Sequence, residues 1–179
     1  RQRQMCIRDS TSGLTIYVER LARTLVMRGH QVTVLTSQYE PQLLPEEVKD
    51  GVRIVRAPVL LRVSKGVIMP TFGYLAWKLA LENDVIHLHL PQFDAAGVAL
   101  RGRLLRKPTV ISYHSDLLLP PGLFNRFVNQ VVLEMNNLAA IFAHRIGAYT
   151  QDFADHSPYL RRFTSKVQVI HPPVELPES

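Results

Sequence analysis

The feature that most constrains the fold of this 179-residue chain is a series of short apolar runs, each ending at a polar residue. A run of this length predicts a buried strand, and the residue after it stands where a parallel strand passes to the next helix. The polar residues that end these runs are Thr36, His89, His114, Thr150 and His171, and Ser12-Gly13 stands before the first helix. The ligand crevice of an open α/β sheet lies beyond the carboxyl ends of its strands, so we expect these residues to line one substrate cleft.

Helical patterns alternate with the runs. Leu14, Val18, Leu21 and Leu25 recur at the spacing of a helix with one buried face, and Gly29 is placed to end that helix. Further helices are predicted over 71–83, 94–105, 123–144 and 151–163, with Asp94 as a cap and the last helix interrupted near Pro158. Strands are predicted over 31–36, 52–57, 85–90, 109–113, 145–149 and 166–170, with a polar loop through Pro41, Pro45 and Glu46-Glu47.

Strands that alternate with helices form βαβ units, whose parallel strands are joined by right-handed crossovers. The predicted fold class is therefore α/β, with a doubly wound parallel sheet covered on both faces. The 46% hydrophobic and 20% charged content is typical of a globular domain with one core. We expect that domain to cover residues 11–171.

Charge and cysteine content limit the function classes. The net charge is +6, and Arg1, Arg3 and Arg8 against Asp9 account for +2 of it. The positive charge of the rest of the chain fits an acidic or phosphate-bearing ligand or an anionic membrane face, and requires neither. Cys6 is the only cysteine, which excludes a disulfide framework and a cysteine-rich metal site and favours a reducing compartment.

No apolar stretch reaches the roughly 20 residues that a membrane-spanning helix needs. The longest uncharged candidate, residues 66–77, is too short and contains Pro70. The start of the chain lacks the apolar region of a secretory signal. The sequence is therefore predicted to be soluble and cytoplasmic.

The two ends of the chain differ from the middle. Residues 1–10 are polar and charged where a buried first strand is expected, so they are predicted to be a non-native or disordered segment. Residues 172–179 hold three prolines, which favour an extended strut. This segment is predicted to begin an interdomain linker.

Several familiar ligand classes have no sequence signal. The chain has no Gly-x-Gly, no Gly-Lys and no Gly-x-Ser-x-Gly, which argues against a dinucleotide fingerprint, a phosphate loop and a hydrolase nucleophile. Basic residues are scattered without interleaved stacking aromatics, so a nucleic-acid partner is not expected.

His87 and His89 are two residues apart on a predicted strand, which places both imidazoles on the same face. With His114 and Asp116 they would offer the ligands of a metal-dependent hydrolase. In the alternative, which we prefer, His87 packs beneath a flanking helix and only His89 meets solvent. No metal or cofactor is therefore predicted.

Five blocks of the chain resemble glycosyltransferase family 4, in the order and spacing of that family. The blocks are residues 13–36 with their Arg28-Gly29-His30, residues 84–91, residues 107–116, residues 143–146 with Thr150, and residues 166–174.

The resemblance implies a GT-B fold of two Rossmann-like domains, of which this chain is similar to the amino-terminal, acceptor-binding one. Such enzymes transfer a sugar from a nucleotide-sugar donor to a lipid or saccharide acceptor, with retention and without a mandatory metal. The carboxy-terminal donor domain with its paired glutamates has no counterpart in residues 1–179. The chain alone is accordingly expected to be inactive.

The resemblance also assigns site residues. His114 is the catalytic candidate, because an imidazole that titrates near pH 6.5 can donate or accept at neutral pH; the alternative is a histidine that only holds its loop. His89 is assigned to the substrate site. Ser12 and Gly13 would face the donor diphosphate through backbone N–H groups, although Ser12 stands where the family has glycine. Asp116 and Thr150 either touch substrate or cap local structure.

Two further hypotheses stay open. Four basic residues precede a group of apolar ones, an order compatible with peripheral docking on the inner face of an anionic membrane. The basic residues are Arg53, Arg56, Arg62 and Lys65, and the apolar ones are Val67, Ile68, Met69, Phe72, Tyr74 and Trp77. In the alternative the aromatic side chains cover the sheet and the basic ones form a solvated rim. The competing function class is a non-catalytic α/β ligand-binding module, with the metal hydrolase third.

Overall fold

A computed structural model describes residues 13–63, 66–115 and 121–171. These residues fall into two compact units that divide between Ala76 and Trp77. The single domain predicted over residues 11–171 stays a prediction. The segments predicted at 1–10 and 172–179 lie outside the described residues, as do Ser12 and Asp116.

The first unit begins with one helix and a small mixed sheet. Its elements are α1 (Gly13–Met27), β1 (Val32–Gln38), β2 (Glu46–Lys49), β3 (Val52–Pro58), β4 (Leu61–Val63) and β5 (Gly66–Ile68). β1 and β3 are parallel neighbours, β2 runs antiparallel on the far side of β3, and β4 and β5 form a separate antiparallel pair.

The apolar periodicity of α1 supplies the core of this unit. Ala22 is buried together with Val52 and Ile54 of β3, and Val26 packs against this cluster. Gly29 ends the helix with a φ of +86°, and its N–H donates to the carbonyl of Val26 at 2.9 Å. Only glycine adopts that backbone conformation readily, so the predicted helix end is confirmed.

The loop predicted around Glu46-Glu47 is wrong, because these residues belong to β2. Their carboxylates pair with the basic side chains of β3, Glu46 with Arg53 at 2.6 Å and Glu47 with Arg56 at 2.5 Å. Cross-strand pairs of opposite charge stabilise a strand that lacks the apolar alternation used to predict strands. The antiparallel β2 and the β4–β5 pair are therefore additions to the predicted parallel pattern.

The second unit begins within α2 (Phe72–Glu82) and carries a four-stranded parallel sheet. Its elements are β6 (Ile86–Leu90), α3 (Ala95–Leu104), β7 (Thr109–Tyr113), α4 (Leu123–Phe142), β8 (Arg145–Ala148), α5 (Gln151–His156), two 3-10 turns (Leu160–Arg162 and Thr164–Lys166) and β9 (Val167–Val169). The strands lie in chain order, β6-β7-β8-β9, and every neighbouring pair is parallel. This part of the chain confirms the predicted α/β fold with a parallel sheet.

Helices cover one face of this sheet. Leu88, Leu90, Ile111 and Ile146 are all buried on that face. α3 packs there, where Gly102 lies against Thr109 and Ile86. α5 packs on the same face, since the ring of Phe153 stacks on that of Tyr113 with centroids 5.9 Å apart.

The interruption predicted near Pro158 is confirmed: α5 ends at His156, and two 3-10 turns follow Pro158, whose ring removes a backbone donor. One helix prediction needs correction. Asp94 does precede α3, but its side chain makes no capping hydrogen bond. Among the described residues, no helix combines the length and the apolar character needed to cross a membrane.

Candidate functional site

Strand register brings the polar residues of the second unit to the face opposite α3. Ser112 on β7 is the register partner of both His89 on β6 and Gly147 on β8. Residues two apart on a strand share a face, so His87 belongs to the same surface. The rings of His87 and His89 stack with centroids 4.5 Å apart, which confirms that they point to the same side.

His114 lies between His89 and Tyr149 at the carboxyl ends of three adjacent strands. Its Nε2 atom is 3.0 Å from Nδ1 of His89, and its Nδ1 atom is in hydrogen-bond contact with the Tyr149 hydroxyl. The backbone N–H of His114 donates to the carbonyl of Leu90 at 3.1 Å, which extends the β6–β7 pairing to the site. The structure thus joins two sequence-predicted residues and one that was not predicted.

His87 departs from the expected arrangement. Its Nε2 atom is 2.8 Å from Oγ of Ser112, so it is tied to β7 rather than packed under a helix. His87 is exposed, whereas His89 is half-buried. The prediction had His87 buried and His89 exposed to solvent, so the relative burial of the two is the reverse of the one predicted. The reason is that α3 packs on the opposite face of the sheet, where Leu88 lies.

The three imidazoles are neutral at pH 7. Burial lowers the pKa of His89 to about 3, helped by the neighbouring His87 and His114. Burial also lowers the pKa of His114 to about 4, with a smaller contribution from His87. Desolvation by surrounding atoms lowers the pKa of His87 as well, although its surface is exposed. The pKa of His114 thus lies below the value near 6.5 of an unperturbed imidazole.

A neutral imidazole has one N–H donor and one nitrogen acceptor, so this cluster can bind neutral polar groups such as hydroxyls. It is not a cationic site, because the charged forms of the rings are disfavoured. Among residues 13–63, 66–115 and 121–171, no group of three or more His, Cys, Asp or Glu side chains is arranged to hold a metal ion.

Thr150 has a visible structural role. Its side-chain oxygen accepts a hydrogen bond from the N–H of Phe153 at 3.1 Å and so caps α5. Thr150 is exposed directly after Tyr149. Of the two roles considered for Thr150, the structure shows the helix cap, and the substrate contact stays a prediction.

The remaining predicted residues are distributed between the two units. Gly13 begins α1 and Thr36 lies in β1, both in the first unit, while His171 is exposed after β9 in the second. Ser12 and Asp116 are outside the described residues. Their substrate contacts stay predictions.

Sequence reasoning did not find Ser112, Tyr149 and Asn136. Ser112 and Tyr149 could have been found from strand alternation, since they share the face of His89 and His114 once register is known. Asn136 on α4 is buried, and its side-chain oxygen accepts from the N–H of Gln92 at 3.3 Å. This contact fixes the segment that follows β6, and a lone asparagine in a helix gives no sequence signal for it.

The comparison with known families decides what kind of domain this is. A model of the family described as Glycosyltransferase Family 4 matches residues 11–177. The chain belongs to this family. The resemblance carried by the five sequence blocks is therefore confirmed, and the parallel sheet with its helices is consistent with a Rossmann-like half of the GT-B fold. No curated protein matches this family 4 domain.

Proposed function

We propose that this glycosyltransferase domain supplies the acceptor side of a retaining sugar transfer from a nucleotide-sugar donor to a lipid or saccharide acceptor. A second Rossmann-like domain of the full-length enzyme would hold the donor. Family membership supports the class of activity. The observation that carries the site assignment is the contact between His89 and His114 at the carboxyl ends of parallel strands.

In this proposal His114 and His89 bind sugar hydroxyls near the reacting centre. Neutral imidazoles suit that task, because a hydroxyl both donates and accepts hydrogen bonds and carries no charge. The amino terminus of the 15-residue helix α1, beginning at Gly13, would attract the donor diphosphate through its positive end. The single cysteine of the sequence supports a cytoplasmic location.

Docking on a membrane through the basic segment is not part of the proposal. Arg56 is only 4% exposed and is paired with Glu47, and Arg53 is paired with Glu46. The guanidinium of Arg62 lies over the Tyr39 ring at 4.0 Å. Acidic partners thus offset the charge of two of the four basic residues of the segment, and Lys65 lies outside the described residues.

The test is sugar transfer by the full-length enzyme, screened with a panel of nucleotide sugars. His114→Ala is expected to lower kcat by about 100-fold or more if the imidazole acts at the reacting centre. His156→Ala is the matched control, because His156 is exposed at the end of α5 and should leave transfer unchanged. Unchanged transfer in His114→Ala would overturn the catalytic role. Ligand binding without turnover in the wild type would instead favour a binding module.

A further inference from the structure

Tyr149 contacts the imidazole cluster from the end of a third strand and itself carries a phenol. It follows β8 directly and is half-buried. Its hydroxyl contacts Nδ1 of His114, and the two rings meet edge to face with centroids 5.3 Å apart at 69°. Ring packing and hydrogen bond together orient the imidazole from the side opposite His89.

The contacts form a directed chain of three groups. A neutral imidazole has one protonated nitrogen and one acceptor nitrogen, so the role of one nitrogen fixes the role of the other. A phenol O–H is a better hydrogen-bond donor to an imidazole nitrogen than an imidazole N–H is to a phenol oxygen. If it donates to Nδ1 of His114, that ring carries its proton on Nε2 and donates to Nδ1 of His89 across 3.0 Å. His89 must then carry its proton on Nε2.

We propose that Tyr149 is a positioning residue that fixes the tautomer of His114 and, through it, the tautomer of His89. The inference rests on the proposed function, because it assigns donor and acceptor roles to the atoms that would meet sugar hydroxyls. A fixed tautomer matters for transfer since a hydrogen-bond donor placed in advance needs no reorganisation during the reaction. These hydrogen bonds require neutral imidazoles, and burial favours the neutral form of both His89 and His114.

His87 and Ser112 provide an internal comparison. His87 stacks on His89, yet its Nε2 atom is bonded to Ser112 rather than to the Tyr149–His114–His89 chain. Loss of the Tyr149 hydroxyl should therefore affect His114 and His89 but leave His87 alone. Loss of the Ser112 hydroxyl should affect His87 and leave His114 and His89 unchanged.

The experiment is long-range ¹H–¹⁵N NMR of the imidazole nitrogens in the ¹⁵N-labelled 179-residue chain. The wild type is expected to show His114 and His89 as single tautomers protonated on Nε2. Tyr149→Phe should convert both to tautomer mixtures with His87 unchanged, and Ser112→Ala should alter His87 alone. Wild-type His114 protonated on Nδ1 would overturn the inference without any variant, and so would unchanged His114 and His89 signals in Tyr149→Phe.

Activity separates this inference from the proposed function. In the full-length enzyme, Tyr149→Phe is expected to lower kcat by about 10- to 100-fold with little change in KM, the same order as the loss when an outer-shell hydrogen bond that orients a metal-ligating histidine is removed. A changed tautomer with unchanged transfer would leave the Tyr149 pairing intact and contradict the use of His114 in transfer. Lower transfer with unchanged tautomers would overturn the positioning role.

Discussion

The imidazole of His87 stacks on that of His89, with planes 26° apart, while each ring is bonded to a different partner on or after β7. Two charged rings at this separation would repel each other, and burial adds to the cost of charging His89. The stack is therefore an arrangement of neutral rings. It makes the stability of the second unit sensitive to acid.

The free energy of unfolding is expected to fall as the pH is lowered from 7 to 5. Unfolded histidines bind protons near pH 6.5, whereas folded His89 does so only near pH 3, so the unfolded state gains protons first. His89 alone contributes a loss of about 1–2 kcal/mol by pH 5. Urea unfolding at pH 5, 6 and 7 measures it, and His89→Gln should have a flatter pH dependence.

The carboxyl group of Asp94 changes the stability with pH in the opposite direction. Burial raises the pKa of its carboxyl, with Arg101 opposing, so its stabilising effect is present at low pH and is lost as the pH rises through the folded pKa. Equal pH dependence in the wild type and His89→Gln between pH 5 and 7 would contradict the neutral His87–His89 stack.

Regular elements with strong apolar patterns were predictable from the sequence. The helix ending at Gly29 and the parallel strands β6 to β9 appear where periodicity places them, within a few residues. β2 was missed because its stability comes from ion pairs with β3 and not from burial of an apolar face. Such pairs depend on a register that exists only after folding.

The site was predictable in part. His89 and His114 come together because both stand near the carboxyl ends of parallel strands, a consequence of topology that the sequence pattern already indicates. The lowered pKa values and the Tyr149 contact depend on burial and on side-chain packing. Neither the pKa values nor this contact can be predicted from the order of residues in the sequence.

Gly102 on α3 is expected to resist substitution. A methyl group there would overlap Oγ1 of Thr109, which is fully buried in β7. We expect Gly102→Ala to destabilise the protein by about 1–2 kcal/mol, because overpacking outweighs the gain in helix propensity. Gly97→Ala, on the same helix, meets only the flexible end of Arg101 and should be neutral or stabilising. Urea unfolding decides, and equal effects of the two variants would contradict the close α3–β7 contact.

Glu47 and Glu46 are adjacent but should differ in importance. Glu47 neutralises Arg56, whose side chain is 3% exposed, whereas Glu46 pairs with the more accessible Arg53. Glu47→Gln leaves a buried cation and is expected to cost about 2–4 kcal/mol. Glu46→Gln removes a surface pair and should cost less than about 1 kcal/mol. Chemical denaturation of both variants is the measurement, and a smaller loss for Glu47→Gln would refute the assignment.

Lys166 ties the start of β9 to the end of α4. Its ammonium group donates to the carbonyls of Ala140, Ile141 and Ala143 at 2.8–2.9 Å, where the last turn of the helix has unsatisfied acceptors and a negative dipole end. Lys166→Met keeps the aliphatic stem but removes these donors, so we expect a loss of about 1–3 kcal/mol. Lys78→Met is the control, since Lys78 is exposed and its ion pair with Glu82 spans 3.9 Å. Thermal unfolding should separate the two variants, because only the first leaves helix carbonyls without their charged donor. Equal melting temperatures would mean that water replaces the ammonium group at no cost.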